Sequence, residues 1–358
     1  MPSLNRLTGG LPPATIFVTY ALGGAGGLLA QWAGLPLAML MGGMVAVTGA
    51  SALGLKVSGH ALAVPQKWRY TLIPIVGVAI GASFPPDFAT QALHWWVTMV
   101  ALLLFIPFAQ FLGYAIFAKL GGMKPATAYF AAMPGGFIES IEMGEKTGAD
   151  MPMLIMLQLL RLILCIVMIP IAFSIFEGHA VGSASGLSAA GRAPLTAVDW
   201  VVIVGLGVVG WWGAHKLKFP AAMLSGPLLL SGIAHAAGLT HAVPPGWAIQ
   251  VTQWVMGTSL GVRLIGFERA QAGKAVVLSV IHVSLMLMVA FGVAMLLADA
   301  VDEPISAVIL AFAPGGVSEM SLVALSLHVS AVYVTLHHLA RIVLAVLFSR
   351  IGQRIVKL

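Results

Sequence analysis

Long apolar stretches with almost no charged residues follow one another along this chain. Hydrophobic residues make up 59% of its 358 residues and charged residues 8%, whereas soluble domains carry about 25% charged residues. A soluble core could not bury so much apolar surface, so the sequence predicts an integral membrane protein. A spanning helix needs about 20 mostly apolar residues. The stretches that meet or approach this length are 14–34, 36–55, 70–86, 92–118, 152–176, 200–214, 219–236, 247–262, 275–298 and 331–349.

Two further apolar stretches are interrupted by Pro-Gly-Gly. The sequences "AAMPGGFIES" (131–140) and "LAFAPGGVSE" (310–319) each place a glutamate three residues after the second glycine. Proline and glycine interrupt helices, and backbone groups freed within hydrocarbon must be satisfied by protein or line a wet cavity. We therefore expect the elements at about 124–149 and 304–328 to be re-entrant hairpins or broken helices.

The two halves of the chain match at a constant spacing of 180 residues, from 134 to 314. The matched residues of the first half are Pro134, Gly135, Gly136, Glu139 and Arg161. Their counterparts in the second half are Pro314, Gly315, Gly316, Glu319 and Arg341. We predict a first membrane repeat over 1–176 and a second over 198–358. A Gly/Ser/Ala-rich linker at 177–197 would join them.

Loop charges predict the orientation of each repeat, because cytoplasmic loops are enriched in Lys and Arg. Positive charges cluster at 56–69 and 119–124 in the first half, but at 215–218 and 263–274 in the second. Equivalent loops would then face opposite sides, which requires an odd number of crossings per repeat. The predicted fold class is all-α, with about ten transmembrane helices in two inverted five-helix repeats. The expected location is a bacterial inner membrane, with both termini cytoplasmic.

Charged residues within the apolar elements form matched pairs. Arg161 and Arg341 lie in predicted spans, where each charge costs roughly 2.5–3.5 kcal/mol on insertion scales. Glu139 and Glu319 lie on the interrupted elements, whose second helices would present N-termini suited to anions. One interpretation is that a glutamate binds H⁺ or Na⁺ while an arginine and the helix ends hold an anionic substrate. The alternative is that Glu–Arg pairs lock the hairpins.

The predicted site gathers the interrupted backbone and its polar neighbours. Gln158 and His338 each lie three residues before an arginine, and Glu142 lies one helical turn after Glu139. The complete set is Pro134, Gly135, Gly136, Glu139, Glu142, Gln158, Arg161, Pro314, Gly315, Gly316, Glu319, His338 and Arg341. We expect no metal or cofactor, because the ten histidines are dispersed and no H-E-x-x-H or Cys/His cluster occurs.

The paired motifs resemble those of the AbrB family of membrane proteins. The segments that carry this resemblance are "AAMPGGFIESIEMGEKTGAD" and "FAPGGVSEMSLVALSLHVS". The resemblance implies two copies of one membrane module across essentially the whole chain. It also brings two functional associations, an ammonia monooxygenase label and the regulation of gene expression. The second copy has "HVS" (328–330) where the family tends to have Gly-Ala-Asp, so Asp150 has no acidic counterpart there.

Inverted repeats, paired interruptions and buried charges together favour a secondary transporter with alternating access. The expected substrate is a small solute, an organic anion, coupled to H⁺ or Na⁺. Two alternatives remain open: a membrane sensor or regulator on a transporter-like scaffold, and a membrane monooxygenase. The monooxygenase fits poorly because oxygenase metals need clustered His or carboxylate ligands, so we expect a protein that is not an enzyme. Its expected partners are the lipid bilayer and the solute, without nucleic acid; a homodimer is also open.

Overall fold

A computed structural model of the chain describes residues 8–85, 88–179, 181, 195–264 and 269–355. These residues are almost entirely helical, which confirms the all-α prediction. One small hairpin pairs the strands Lys56–Val57 and His60–Ala61. The first eight helices are α1 (Pro13–Trp32), α2 (Ala38–Ala52), α3 (Gln66–Gly81), α4 (Phe88–Ala92), α5 (Trp96–Ala115), α6 (Pro125–Ala131), α7 (Phe137–Lys146) and α8 (Met151–Glu177). The remaining helices are α9 (Ala197–Lys216), α10 (Ala222–Ala236), α11 (Gly246–Gly261), α12 (Arg269–Val301), α13 (Ile305–Phe312), α14 (Val317–Ser326) and α15 (Ala331–Ile355).

Prolines and glycines set many of the helix boundaries. Pro65, Pro245 and Pro304 are the N-cap residues of α3, α11 and α13, where the missing N–H removes no intrahelical bond. Beyond α5, a π-helical turn (Ile116–Leu120) and a loop lead to α6, which begins at Pro125. Gly34 and Gly238 follow α1 and α10 with φ near +68°, the left-handed conformation that favours glycine.

A helix lies at each of the ten predicted spans. By length and composition, six segments within the described residues could cross a membrane: Pro13–Trp32, Trp96–Leu120, Met151–Glu177, Ala197–Lys216, Gln271–Val301 and Ala331–Arg354. The helices at 38–52 and 222–236 are apolar but only 15 residues long, and those at 66–81 and 246–261 have 16 residues. The protein is therefore a helical protein of membrane type.

The described chain forms two compact units, each of which draws on both halves of the sequence. The first unit lies within Met1–Pro86, Val167–Ile265 and Leu322–His328, and contains α1–α3 and α9–α11. Here α1 packs on α2 and α9 on α10, while α2 packs on α11 and α10 on α3. The pattern of contacts is thus the same when α1–α3 are exchanged for α9–α11.

Glycines permit the closest helix approaches in this first unit. A methyl group on Gly42 of α2 would lie 2.2 Å from the Gly26 carbonyl oxygen of α1, and one on Gly226 would lie 2.1 Å from the Gly210 oxygen. Small residues of this kind allow the backbones of membrane helices to pack directly against each other. Both helix pairs therefore cross at glycines.

The second unit lies within Asp87–Ile166, Gly266–Ser321 and Val329–Leu358. It contains both Pro-Gly-Gly segments and the first half of α8. Within it α13 packs on α12 and α15, and α5 packs on α6 and α15. The repeat boundaries predicted from the sequence describe chain segments rather than these compact units. Most of the predicted linker at 177–197 lies outside the described residues.

Candidate functional site

Each Pro-Gly-Gly segment separates two short helices of the second unit. Pro134, Gly135 and Gly136 lie between α6 and α7, and their counterparts lie between α13 and α14. Gly136 has φ = +67°, so a side chain at this position would strain the backbone. Five of these six residues are buried, and Gly316 is partly exposed. Interrupted backbone is thus held inside the protein at both positions.

Arg161 and Gln158 bind the carbonyl groups at the end of α6. The Arg161 guanidinium donates to the Met133 oxygen. The Gln158 amide donates to the Phe130 oxygen at 2.8 Å and to the Met133 oxygen at 3.3 Å. The last carbonyls of a helix have no intrahelical partner, and here two buried side chains of α8 supply the missing donors.

Arg341 and His338 do the same for α13, exactly one repeat later. Arg341 donates to the Ala313 oxygen and, at 2.7 Å, to the Gly315 oxygen. It also lies 2.9 Å from Nδ1 of His338, and Nε2 of His338 lies 2.9 Å from the Leu310 oxygen. Because a guanidinium can only donate and a carbonyl can only accept, His338 is neutral with its proton on Nε2.

The two interruptions meet the same region of α8 and α15. A methyl group on Gly135 would lie 3.5 Å from Cα of Ile342, and one on Gly316 would lie 3.0 Å from Cδ1 of Leu162. Ile342 and Leu162 are the residues that follow the two arginines. Arg161 and Arg341 repel each other electrostatically, which puts two cationic groups in the same buried region.

Glu319 is buried next to the second interruption. It is 2% exposed, and its Oε2 accepts a hydrogen bond from the Ser318 hydroxyl at 3.0 Å. Its other oxygen has no hydrogen-bond partner among the described residues. A methyl group on Gly316 would lie 2.0 Å from Oε2, so the carboxylate folds back over the start of α14. Glu139 is partly exposed and folds back over Gly136 in the same way.

Within the described residues, neither glutamate pairs with an arginine, so the expected Glu–Arg pairing is wrong for this conformation. The guanidinium groups instead satisfy backbone carbonyls exposed by the helix interruptions. Arg161 Nε, Arg341 Nε and Gln158 Oε1 are buried and have no hydrogen-bond partner among the described residues. The site thus retains donors and an acceptor that a bound solute could satisfy.

Glu142 lies apart from this buried set. It is exposed on α7, as is Glu145, while Leu322, the counterpart of Glu142, is buried in α14. The structure therefore brings together twelve of the thirteen predicted residues around the two interruptions, and leaves Glu142 on an exposed face.

The sequence reasoning did not single out His282. This residue lies in α12, is 2% exposed, and has its ring 5.0 Å from that of Phe117. Its Nδ1 has no hydrogen-bond partner among the described residues, and Arg161 acts on it electrostatically. A histidine within a long apolar stretch was the available signal, but its place beside the arginine depends on how α12 packs.

Comparison with known proteins places the chain in a family. A family profile described as "Transition state regulatory protein AbrB" matches residues 49–357. The chain belongs to the AbrB family. It is 24% identical to "Uncharacterized protein YhjN" of Bacillus subtilis (strain 168) over 347 residues, which cover 91% of this chain and 89% of that protein. It is also 19% identical to "Putative regulator AbrB" of Escherichia coli (strain K12), with 81% of each protein covered.

The described residues of this AbrB-family protein contain no group of three or more His, Cys, Asp or Glu side chains that could hold a metal ion. The polar groups at the interruptions are instead guanidinium, carboxylate, amide and imidazole. Such groups suit reversible binding of a charged solute or a proton. They supply hydrogen bonds and charge at a place where the helical backbone is itself open.

Proposed function

We propose that this AbrB-family protein is a secondary transporter for a small organic anion, coupled to H⁺ or Na⁺. The observation that carries the proposal is the matched pair of interruptions, each with its carbonyls bound by an arginine 180 residues from its counterpart. Interrupted helices with matched charges are typical of substrate sites in secondary transporters. Arg161, Arg341 and the start of α7, which has no side-chain cap, would attract the anion.

We further propose ten crossings in two inverted repeats, in a bacterial inner membrane with both termini cytoplasmic. Three features support this arrangement. A helix lies at each predicted span, the contacts of α1–α3 match those of α9–α11, and positive loops alternate oppositely in the two halves. Leu37 and Ala221 at the equivalent starts of α2 and α10 also share a rare positive φ, 43° and 48°.

Glu319 is the group that would couple the anion to a cation. It carries an oxygen with no hydrogen-bond partner, in the same region as two guanidinium groups. A carboxylate in such a place can exchange its charge interaction for a proton or a Na⁺ ion when the anion arrives. Glu139 would serve the same purpose at the first interruption.

A ligand screen followed by flux measurement tests this function. Acetate, succinate, citrate, glutamate and inorganic phosphate would be screened by thermal shift on the purified protein. We expect one class to raise the Tm of the wild type, and the shift to vanish in Glu319→Gln but persist in Glu145→Gln. Glu145 is the matched control because it is an exposed glutamate on α7.

The anion that binds would then be tested for uptake into proteoliposomes under an imposed H⁺ or Na⁺ gradient. Uptake that follows one gradient and fails in Glu319→Gln supports the transporter. Binding without flux under either gradient would contradict it. That result would favour a membrane sensor or regulator, the second candidate, which the printed names of the family and of the E. coli relative favour.

A further inference from the structure

A second polar cluster lies in the second unit, at the start of the second interrupted element. Glu303 precedes α13 and is partly buried. Burial raises the pKa of its carboxyl group from 4.5 to about 7; a hydrogen bond from the Trp95 indole opposes this rise, and the neighbouring charge of Asp302 adds to it. At neutral pH this carboxyl group therefore exists in both protonation states.

Aromatic rings connect Glu303 to α15. Trp95 is 3% exposed, and its ring meets that of Tyr333 edge-on at 5.2 Å between centroids. The Tyr333 hydroxyl is buried without a hydrogen bond of regular geometry, and both Thr98 and Glu303 act on it. The Tyr333 ring in turn lies 4.1 Å from the His337 ring. The charge on Glu303 is thus felt along a continuous line of contacts.

His337 can adopt two hydrogen-bond arrangements without leaving a partner unpaired. Its Nδ1 lies 2.8 Å from the Tyr333 carbonyl and must donate to it. Its Nε2 lies 2.9 Å from the Thr98 hydroxyl, which also lies 3.0 Å from the Trp95 carbonyl. When His337 is neutral, Thr98 donates to Nε2. When His337 is protonated, Nε2–H donates to Thr98, which then donates to Trp95.

His338 offers no such choice, because Arg341 requires its Nδ1 as an acceptor. His337 also approaches the second interruption, since its ring lies 6.2 Å from that of Phe312, the last residue of α13. A change in the Thr98–His337 hydrogen bond can therefore reach the backbone next to Ala313.

This cluster has no counterpart in the first repeat. The residues 180 positions from its members are all apolar: Met123 for Glu303, Ala275 for Trp95, Leu278 for Thr98, Met153 for Tyr333 and Leu157 for His337. The carbonyl-binding arginines, in contrast, occur in both halves. A device needed only to stabilise an interrupted helix would be expected twice, so the single cluster points to a task performed at one end.

We propose that Glu303 is the proton-binding group of this protein, and that Trp95, Thr98, Tyr333 and His337 transmit its protonation to the second interruption. This rests on the proposed transport function and selects H⁺ as the coupling ion. One proton from water adds to a carboxylate oxygen and later returns to water, and no electron is transferred. In the proposed topology Glu303 faces the side opposite the cytoplasm.

The charged and titratable surroundings of the cluster are few. Asp302 is exposed in the same loop, and Asp299 is exposed near the end of α12. His338 and Arg341 lie on α15, as do Tyr333 and His337. Neither α5 nor α13 contains an Asp, Glu, Lys, Arg or His residue. Glu303 is therefore the carboxyl group that governs the charge of this cluster.

Infrared difference spectroscopy of the full-length protein in liposomes, without solute, tests proton binding directly. Between about pH 5 and about pH 9, the carbonyl band of one protonated carboxyl group should disappear with a midpoint near 7. The band should be absent in Glu303→Gln and retained in Glu145→Gln. Asp302→Asn should lower the midpoint, because it removes a like charge. A band that persists in Glu303→Gln, or a midpoint near 4.5, would overturn the proposal.

Hydrogen exchange tests transmission to the interruption. At about pH 8, Glu303→Gln mimics the protonated group and should change exchange in 312–319 while leaving 132–139 as in the wild type. His337→Leu, which installs the residue of the other repeat, should abolish that difference. Equal changes at both interruptions, or no change, would refute transmission. Neither experiment needs flux: a missing Glu303 titration leaves Na⁺-coupled transport standing, and missing flux leaves the proton site standing.

Discussion

Two buried arginines answer the difficulty created by interrupted helices in an apolar protein. The last carbonyl groups of α6 and α13 have no intrahelical partner, and in hydrocarbon such groups are costly. A guanidinium offers five donors in a fixed geometry, and one placed on a neighbouring helix can satisfy several carbonyls at once. The cost of burying the charge is thereby offset by hydrogen bonds that the backbone itself requires.

Unequal partners predict unequal losses when the arginines are replaced. Arg341→Gln removes the donor from Ala313, Gly315 and His338, and should cost about 2–5 kcal/mol at about 1–3 kcal/mol per buried group left unpaired. Arg161→Gln should cost about 1 kcal/mol, because Gln158 still donates to Met133. Unfolding of both variants in lipid nanodiscs measures the difference. Equal losses would contradict this account of the carbonyl contacts.

At the scale of elements, glycine determines how closely the helices of the first unit approach. Gly26 of α1 meets Gly42 of α2, and Gly210 of α9 meets Gly226 of α10, with backbone oxygens at the crossings. Lipid tails are as apolar as leucine, so membrane helices gain little from apolar contact alone and depend on tight packing. The crossings therefore require residues without side chains.

Adding one methyl group at such a crossing should separate the helices. Gly226→Ala places Cβ 2.1 Å from the Gly210 oxygen and 2.7 Å from Cβ of Ala214, and should destabilise by about 1–3 kcal/mol. Gly205→Ala on α9 is the control, because nothing lies within 4 Å of its added methyl group. Thermal unfolding should show Gly205→Ala at or above the wild-type Tm. A Gly226→Ala variant of wild-type stability would show that the crossing tolerates a wider spacing.

At the scale of the whole molecule, opposite orientation of the halves is the property from which the transport proposal follows. Lys119 and Asp299 are repeat equivalents, and both are exposed. The proposed inverted repeats put them on opposite faces of the membrane, whereas parallel repeats would put them on the same face. Their opposite charges agree with a cytoplasmic position for Lys119.

Cysteine labelling distinguishes the two arrangements. In a Cys165→Ser background, Lys119→Cys and Asp299→Cys would be treated with a membrane-impermeant maleimide from each side of the membrane. Cys165 is buried, so its replacement should leave the labelling pattern unaffected. We expect Lys119→Cys to react only from the cytoplasmic side and Asp299→Cys only from the other. Reaction of both from one side would exclude the inverted topology.

Much of the architecture followed from the sequence because the bilayer imposes simple rules. Apolar length predicted each helix, and Pro-Gly-Gly predicted each interruption, since neither signal depends on distant contacts. The constant spacing of 180 residues identified the arginines and glutamates as matched pairs. Pairing of the glutamates with the arginines was wrong because charge alone does not reveal that backbone carbonyls compete for the same guanidinium groups.

By itself, the amino-acid sequence determined that this protein is helical, of membrane type, internally matched and interrupted at Pro134 and Pro314. Only the tertiary structure decided that the halves contribute to two shared compact units, that each arginine binds the helix end of its own repeat, and that Glu303 reaches Trp95 and Tyr333. The physical reason is range: helix formation and insertion depend on neighbouring residues and the solvent. Hydrogen-bond partners, in contrast, depend on which distant helices pack together.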